Sequence, residues 1–250
     1  MGTSCGKIKG KLLSIIKEMA SSPWLFVKDP KRDFTRKRKL SFGTMLRILL
    51  GMGGGSLQRE LLEHSGYALD TATSSAFIQQ RDKLLPFALK FMLHEFTSSF
   101  GDMRHYKGYR LLAIDGSDFH TPTNAREPDN FFQNHPGEKG YNLFYLNALY
   151  DLCNRTYTDA LIHNRREANE NRALTSMIDR SRITGHVIVI ADRGYESYNN
   201  LAHIERKGWN YLIRTKDMKV TAFFPECNFH KHQNSMSASN GFLRESKPIK

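Results

Sequence analysis

Two aspartates in this chain stand where α/β proteins usually do chemistry. Val187–Ala191 is a short, β-branched apolar run entered after Gly185, and Asp192 ends it. Gly194 follows two residues on, and Ser197 is placed to cap the next helix. Tyr109–Ile114 is a second short apolar run, closed by Asp115-Gly-Ser-Asp118. A carboxylate just past the C-terminal end of a buried strand lies at the edge where open α/β sheets bind their ligands. Neighbouring carboxylates suit hard divalent cations such as Mg²⁺ or Mn²⁺, which prefer oxygen donors. Two such ions can activate a water and stabilise the leaving oxygen of a phosphodiester. Either aspartate alone reads as a strand end or a turn cap. The pair, on strands that the topology below makes neighbours, reads as ligands to one shared metal.

The elements that must position them begin at Tyr109. Arg110–Ile114 is the first strand, and Phe119–Gly140 is loop-like, rich in Pro, Asn and Gly. Leu143–Leu152 and Thr156–His163 form a hairpin around Cys153-Asn-Arg155. Glu167–Ser181 is a helix with Ala168, Leu174, Met177 and Ile178 on or near its apolar face. The strand to Asp192 follows, then a helix Tyr198–Lys207 stopped by Gly208, then a short strand Asn210–Arg214. Three antiparallel strands feeding two parallel ones through helices is the order of a ribonuclease-H-like α/β fold with a mixed sheet. In that order the first and fourth strands are neighbours, which brings Asp115 beside Asp192.

The rest of the chain narrows the partners. With 37 basic and 25 acidic residues the net charge is +12, which suits a polyanion, nucleic acid before an anionic membrane. The 250 residues hold one full domain and a smaller one, and 40% hydrophobic content excludes global disorder. No apolar run approaches the roughly 20 residues of a membrane helix. Gly6 stands where a myristoylation motif wants Ser or Thr. Cys5, Cys153 and Cys227 are too scattered for a disulfide framework or a zinc pattern, which fits a reducing, intracellular setting. Cys227, His230 and His232 lack the second pair of a zinc site, and His120, His135 and His163 lack ligand spacing.

The first hundred residues read as an all-helical, basic module ending near residues 101–107. Ile8, Leu12, Ile15, Ile16 and Met19 give Lys7–Ala20 one apolar stripe, and Pro23 ends it. Lys31, Arg32, Arg36, Lys37, Arg38 and Lys39 make residues 28–39 the densest basic stretch, either a solvated linker or a set of phosphate contacts. Ser41 caps a second helix carrying Phe42, Met45, Leu46, Leu49 and Leu50. Gly51–Ser56 lacks the Gly-Lys-Ser/Thr ending of a phosphate loop and reads as a flexible turn. Leu57–His64 and a helix starting at Thr73 or Ser74 could form a helix-turn-helix, leaving Gln79, Gln80, Arg81 and Lys83 to face a groove. Phe87, Phe91, Leu93 and Phe96 of the next helix read as core.

Leu112-Ala-Ile-Asp115-Gly-Ser117, Ile190-Ala-Asp192-Arg-Gly-Tyr195 and Tyr211-Leu-Ile-Arg-Thr-Lys216 resemble the IS4-type DDE transposases of bacterial insertion sequences. Phe77-Ile-Gln-Gln-Arg81-Asp-Lys-Leu84 and the basic segment ahead of Leu40-Ser-Phe42 are similar, more loosely, to that family's N-terminal part. The likeness implies Mg²⁺-dependent (or Mn²⁺-dependent) cleavage at transposon ends, then attack of a 3′-hydroxyl on target DNA. It implies double-stranded DNA as partner, a homodimer in a synaptic complex, and a bacterial cytoplasmic, nucleoid-associated location. By position, Asp115 and Asp192 match the first two acids of the catalytic triad. Arg193 would sit near a phosphate, and Gly194 would allow close backbone approach.

The chain departs from that pattern after Lys216. The family's third acid is a glutamate within Tyr-x2-Arg-x3-Glu-x6-Lys, and neither Glu226 nor Glu245 has the right surroundings. The polar tail Gln233–Lys250 is not expected to pack. These features give the expectation of a shortened transposase lacking the insertion and last helix, its third acid unassigned; substitution by Glu167 or Glu170 is the disfavoured alternative. Two other functions compete. One is an inactive remnant that only binds DNA or inhibits the full-length protein. The other is a phosphohydrolase with Asp115 as nucleophile, disfavoured because Asp118 is three residues on instead of two.

Overall fold

The computed structural model describes residues 5–101 and 103–214. The chain divides into two compact units, one within residues 1–101 and one within 102–250.

The first unit is helical: α1 (Cys5–Ser21), α2 (Phe42–Gly51), α3 (Leu57–His64), α4 (Ser74–Arg81) and α5 (Phe87–Ser98). Helix α1 buries Ile15, Ile16 and Met19 along one stripe. Two side chains start the next helices by accepting backbone N–H groups. Ser41 takes that of Thr44, and Thr73 that of Ala76. Helix α2 feeds two apolar clusters, Phe42 and Leu46 joining Ile16, Phe26 and Met92, while Met45 and Ile48 join Leu61 and Phe77. On α5 the buried positions are Ala88, Met92 and Thr97, whereas Phe87, expected in the core, leans on Phe26 at 6.1 Å and is 52% exposed. The glycine loop before α3 is also more constrained than a flexible turn. Gly53 and Gly55 both donate N–H to Glu60 Oε1, at 3.0 and 2.7 Å. These bonds, Gly55's first, hold the Glu60 carboxyl below its ordinary range.

The second unit is a ribonuclease-H-like α/β layer. Its strands are β1 (Arg110–Thr121), β2 (Phe131–Phe132), β3 (Tyr141–Asp151), β4 (Thr156–Asn164), β5 (Val187–Ala191) and β6 (Asn210–Ile213). Helix α6 (Glu170–Arg180) precedes β5, and α7 (Tyr198–Arg206) precedes β6. The six-stranded sheet runs β2-β3-β1-β5-β6, with β4 also on β3. β1 is antiparallel to β3 and parallel to β5, and β5 is parallel to β6.

Alternation along the strands builds the core. Leu112 and Ile114 of β1, Leu149 of β3 and Val187, Val189 and Ala191 of β5 pack with Leu174, Met177 and Ile178 of α6 and Ile204 of α7. Each of the Val, Leu, Ile and Met side chains contributes about 1.5–3 kcal/mol by leaving water. Arg110 and Asp151 join β1 to β3 through an ion pair of 2.5 Å in which Asp151 is fully buried. Asn154 Nδ2 donates to the same carboxylate at 2.9 Å.

Two boundaries and one cap differ from the sequence reading. β1 does not stop at Ile114, because β3 keeps pairing it as far as Thr121 opposite Asn142. Its polar half, beginning at Asp115, hides the strand from an apolar-run criterion. Helix α6 starts at Glu170, since Arg165–Glu167 forms a 3-10 turn and Asn169 Oδ1 accepts the Arg172 N–H as the cap. Ser197 sits at the N-cap of α7 without a capping bond from its side chain.

Candidate active site

The last register pair between the parallel strands β1 and β5 is Ala113 opposite Ile190. Asp115 and Asp192 each lie two residues beyond it along their own segments, which leave strands neighbouring at about 4.8 Å. Asp115 is inside β1, between β5 and β3, and strand alternation turns it away from the face that buries Leu112 and Ile114. Asp192 follows the last residue of β5 and caps the 3-10 turn Arg193–Tyr195. Both aspartates are exposed. One oxygen of each is fixed by a local amide: Asp115 Oδ1 accepts the Gly116 N–H at 2.9 Å, and Asp192 Oδ1 accepts the Gly194 N–H at 2.8 Å. Neither carboxylate forms an ion pair with a described residue.

A third carboxylate approaches from helix α6. A Cβ on Gly194 would lie 3.1 Å from Asp192 Oδ1 and 3.1 Å from Glu170 Oε2, so both acids border the hollow over this glycine. Glu170 Oε1 accepts the hydroxyl of Tyr145. The Tyr145 phenol in turn fills the place of a side chain at Gly116, the residue after Asp115. Tyr195, 1% exposed, donates its hydroxyl to Asn147 Oδ1 at 3.3 Å. Burial, then the nearby Glu170, push both phenols well above the ordinary tyrosine value, so they remain hydrogen-bond donors. Arg165 lies 4.9 Å over the Tyr145 ring and pairs with Asp118 at 2.5 Å.

The donor set fits a hard divalent cation in part. Two carboxylates without an ion pair among the described residues would offer oxygen ligands and negative charge, and the bare α-carbon of Gly194 leaves room beside Asp192. Among the described residues, however, no group of three or more His, Cys, Asp or Glu could hold a metal ion by itself. Such an ion would have to draw its remaining ligands from water and substrate oxygens, as Mg²⁺ does on phosphates.

The family model described as Transposase DDE domain matches residues 106–239, more than half of the chain. The chain belongs to the DDE transposases. A comparison with curated proteins finds no match. DDE transposases normally use a divalent metal and act on DNA, in transposition and recombination. The matched segment of this transposase opens just before β1 and contains both aspartates. No helix among its described residues is long and apolar enough to cross a membrane.

The other residues singled out in the sequence are distributed as follows. Arg193 is exposed on the turn beside Asp192. Lys31, Arg32, Arg36, Lys37 and Arg38 of the helical unit are exposed and make no ion pair with a described residue. Lys39 is committed to Asp70, bonding its carboxylate at 3.0 Å and its carbonyl at 2.6 Å. Arg81 is exposed at the end of α4, but Gln80 is buried and accepts from Lys83 Nζ at 3.2 Å, so Gln80 cannot face a groove. Of the two glutamates named as substitutes, Glu170 reaches the Gly194 hollow, whereas Glu167 is exposed near Asn164, whose Nδ2 is 3.5 Å from its Oε2. Glu226, Cys227, His230, His232 and Glu245 lie outside the described residues.

Sequence reasoning missed Tyr145 and Asn147. Their signal was present: residues two apart on one strand share a face, and polar groups on a face that also carries Leu149 call for buried partners.

Proposed function

We propose that this chain is a transposase of the IS4 type in which Asp115 and Asp192 jointly hold a divalent cation, Mg²⁺ or Mn²⁺, at a DNA phosphate. The observation that carries the reading is the register: both acids stand two residues past Ala113 and Ile190 on adjacent parallel strands. Their lack of ion-pair partners among the described residues supports it, since two unpaired neighbouring carboxylates repel one another until a cation lies between them. A bound ion supplies Lewis-acid stabilisation of charge on phosphate oxygens. Asp115 and Asp192 orient it through oxygens already steered by the Gly116 and Gly194 amides. Arg193, exposed on the same turn, neutralises a neighbouring phosphate, and Gly194 lets the DNA backbone come close. The basic segment from Lys31 to Arg38, with Arg81 and with a lesser share from the Asp70-bound Lys39, binds the duplex ends through phosphate contacts.

One observation favours a second reading, a DNA-binding chain that does not cleave: the described residues contain no three-ligand metal group. A single experiment separates the two. The chain is incubated with supercoiled plasmid carrying candidate end repeats, with Mg²⁺, with Mn²⁺ or with EDTA. Metal-dependent nicking lost in Asp192→Asn supports the cleaving transposase. Salt-sensitive DNA binding without nicking, unchanged in the double Asp→Asn variant, supports the binding reading.

A further inference from the structure

We propose that Tyr195 is a positioning residue that sets the separation of Asp115 and Asp192 from the helix-covered side of the sheet. The inference rests on the two-aspartate reading above and extends it to a residue to which that reading gives no role. Tyr195 ends the 3-10 turn that Asp192 caps. Its ring is buried, and its hydroxyl reaches β3, where it donates to Asn147 Oδ1 at 3.3 Å. In the sheet, β1 lies between β5 and β3. Asn147 is the register partner of Gly116, the residue next to Asp115. One hydrogen bond therefore ties the turn carrying Asp192 to the strand paired beside Asp115, across β1 and at the level of both acids.

Both ends of this tie are fixed. The carbonyl of Tyr195 accepts Asn200 Nδ2 at 2.8 Å, and that amide also donates to Asn171 Oδ1 on α6 at 2.6 Å. Asn147 is fully buried, and its Nδ2 has no partner among the described residues, so the Tyr195 hydroxyl is what orients its amide. Removing that hydroxyl frees the Asp192 turn to shift relative to β1 while leaving the aromatic packing in place. Groups that orient metal ligands from behind typically alter metal affinity by about 10–100-fold. A hydroxyl with a merely structural role would alter unfolding and leave metal affinity alone.

The test is Mn²⁺ binding to the full chain, followed by electron paramagnetic resonance, beside thermal unfolding without metal. Tyr195→Phe is expected to weaken Mn²⁺ binding about 10-fold, and Asn147→Leu to do the same. The double variant is expected to be no weaker than either, because both remove one interaction. Tyr150→Phe, which loses the hydroxyl of a ring packed edge-on against Tyr157 with centroids 4.9 Å apart, is expected to bind as the wild type does. Should Asn147→Leu fail to fold, the near-isosteric Tyr195→Phe carries the test alone. If Asp192→Asn loses Mn²⁺ but Tyr195→Phe keeps wild-type affinity, the positioning role is overturned and the two-aspartate reading stands. If the wild type binds no Mn²⁺, or Asp192→Asn binds it unchanged, the two-aspartate reading fails and takes this inference with it.

Discussion

Tyr145 occupies the space that any side chain at position 116 would need: a Cβ on Gly116 would lie 2.7 Å from its Cζ. The glycine after Asp115 is thus required by packing across the β1–β3 pair. Gly116→Ala is expected to displace the phenol from Glu170 and cost about 1–3 kcal/mol as an overpacked site. Urea unfolding monitored by circular dichroism measures it. An unchanged midpoint would mean that Tyr145 does not sit under Gly116.

The Arg110–Asp151 pair ties β1 to β3 with the Asp151 carboxylate fully buried. Arg110→Met leaves a buried carboxylate supported mainly by Asn154, and the expected loss is about 3–5 kcal/mol. Replacing both partners, Arg110→Met with Asp151→Leu, is expected to recover most of it. Equal losses in the single and double variants, by chemical denaturation, would contradict this.

Tyr145 and Tyr195 carry a pH signature. Burial raises both phenols, so their folded-state values exceed those of the unfolded chain. Below the unfolded value, about 10, both states keep the proton and stability is unaffected. Above it the unfolded chain releases protons that the folded chain retains, so stability falls as pH rises. Phenolate absorbance recorded alongside circular dichroism as pH rises measures this. Tyr145 and Tyr195 should ionise only with unfolding, and Tyr195→Phe should reduce that late step.

The basic segment offers a graded test of DNA binding. Arg36, Lys37 and Arg38 are exposed without ion-pair partners among the described residues, while Lys39 is held by Asp70. That bond also keeps the Asp70 carboxyl below its ordinary range. Converting Arg36, Lys37 and Arg38 to alanine should weaken binding to any duplex. It should also flatten the log-affinity against log-salt slope by roughly 0.9 for each phosphate left without its cation. Lys39→Ala should do less. Fluorescence anisotropy across salt concentrations measures both, and equal effects would contradict the assignment.

Much of this was legible in the sequence because apolar periodicity reports burial. Val187–Ala191 reads as a strand and is one, and Leu57–His64 reads as a helix with the same ends. The caps at Ser41 and Thr73 follow from their side-chain chemistry. The neighbouring of β1 and β5 follows from the order of elements alone. What the sequence hides is pairing that does not depend on burial. β1 continues through polar residues because β3 supplies its hydrogen bonds, and Glu60 binds the glycine loop through backbone amides. The link from Tyr145 through Glu170 to the Gly194 hollow joins residues from β3, α6 and the turn after β5. No spacing along the chain announces such a link.

The most direct measurement of the central claim is Mn²⁺ titration of the wild-type chain, Asp115→Asn and Asp192→Asn. A cation shared by the two acids gives weak binding in the wild type that is abolished in each single variant. Wild-type affinity in either variant would contradict a shared site.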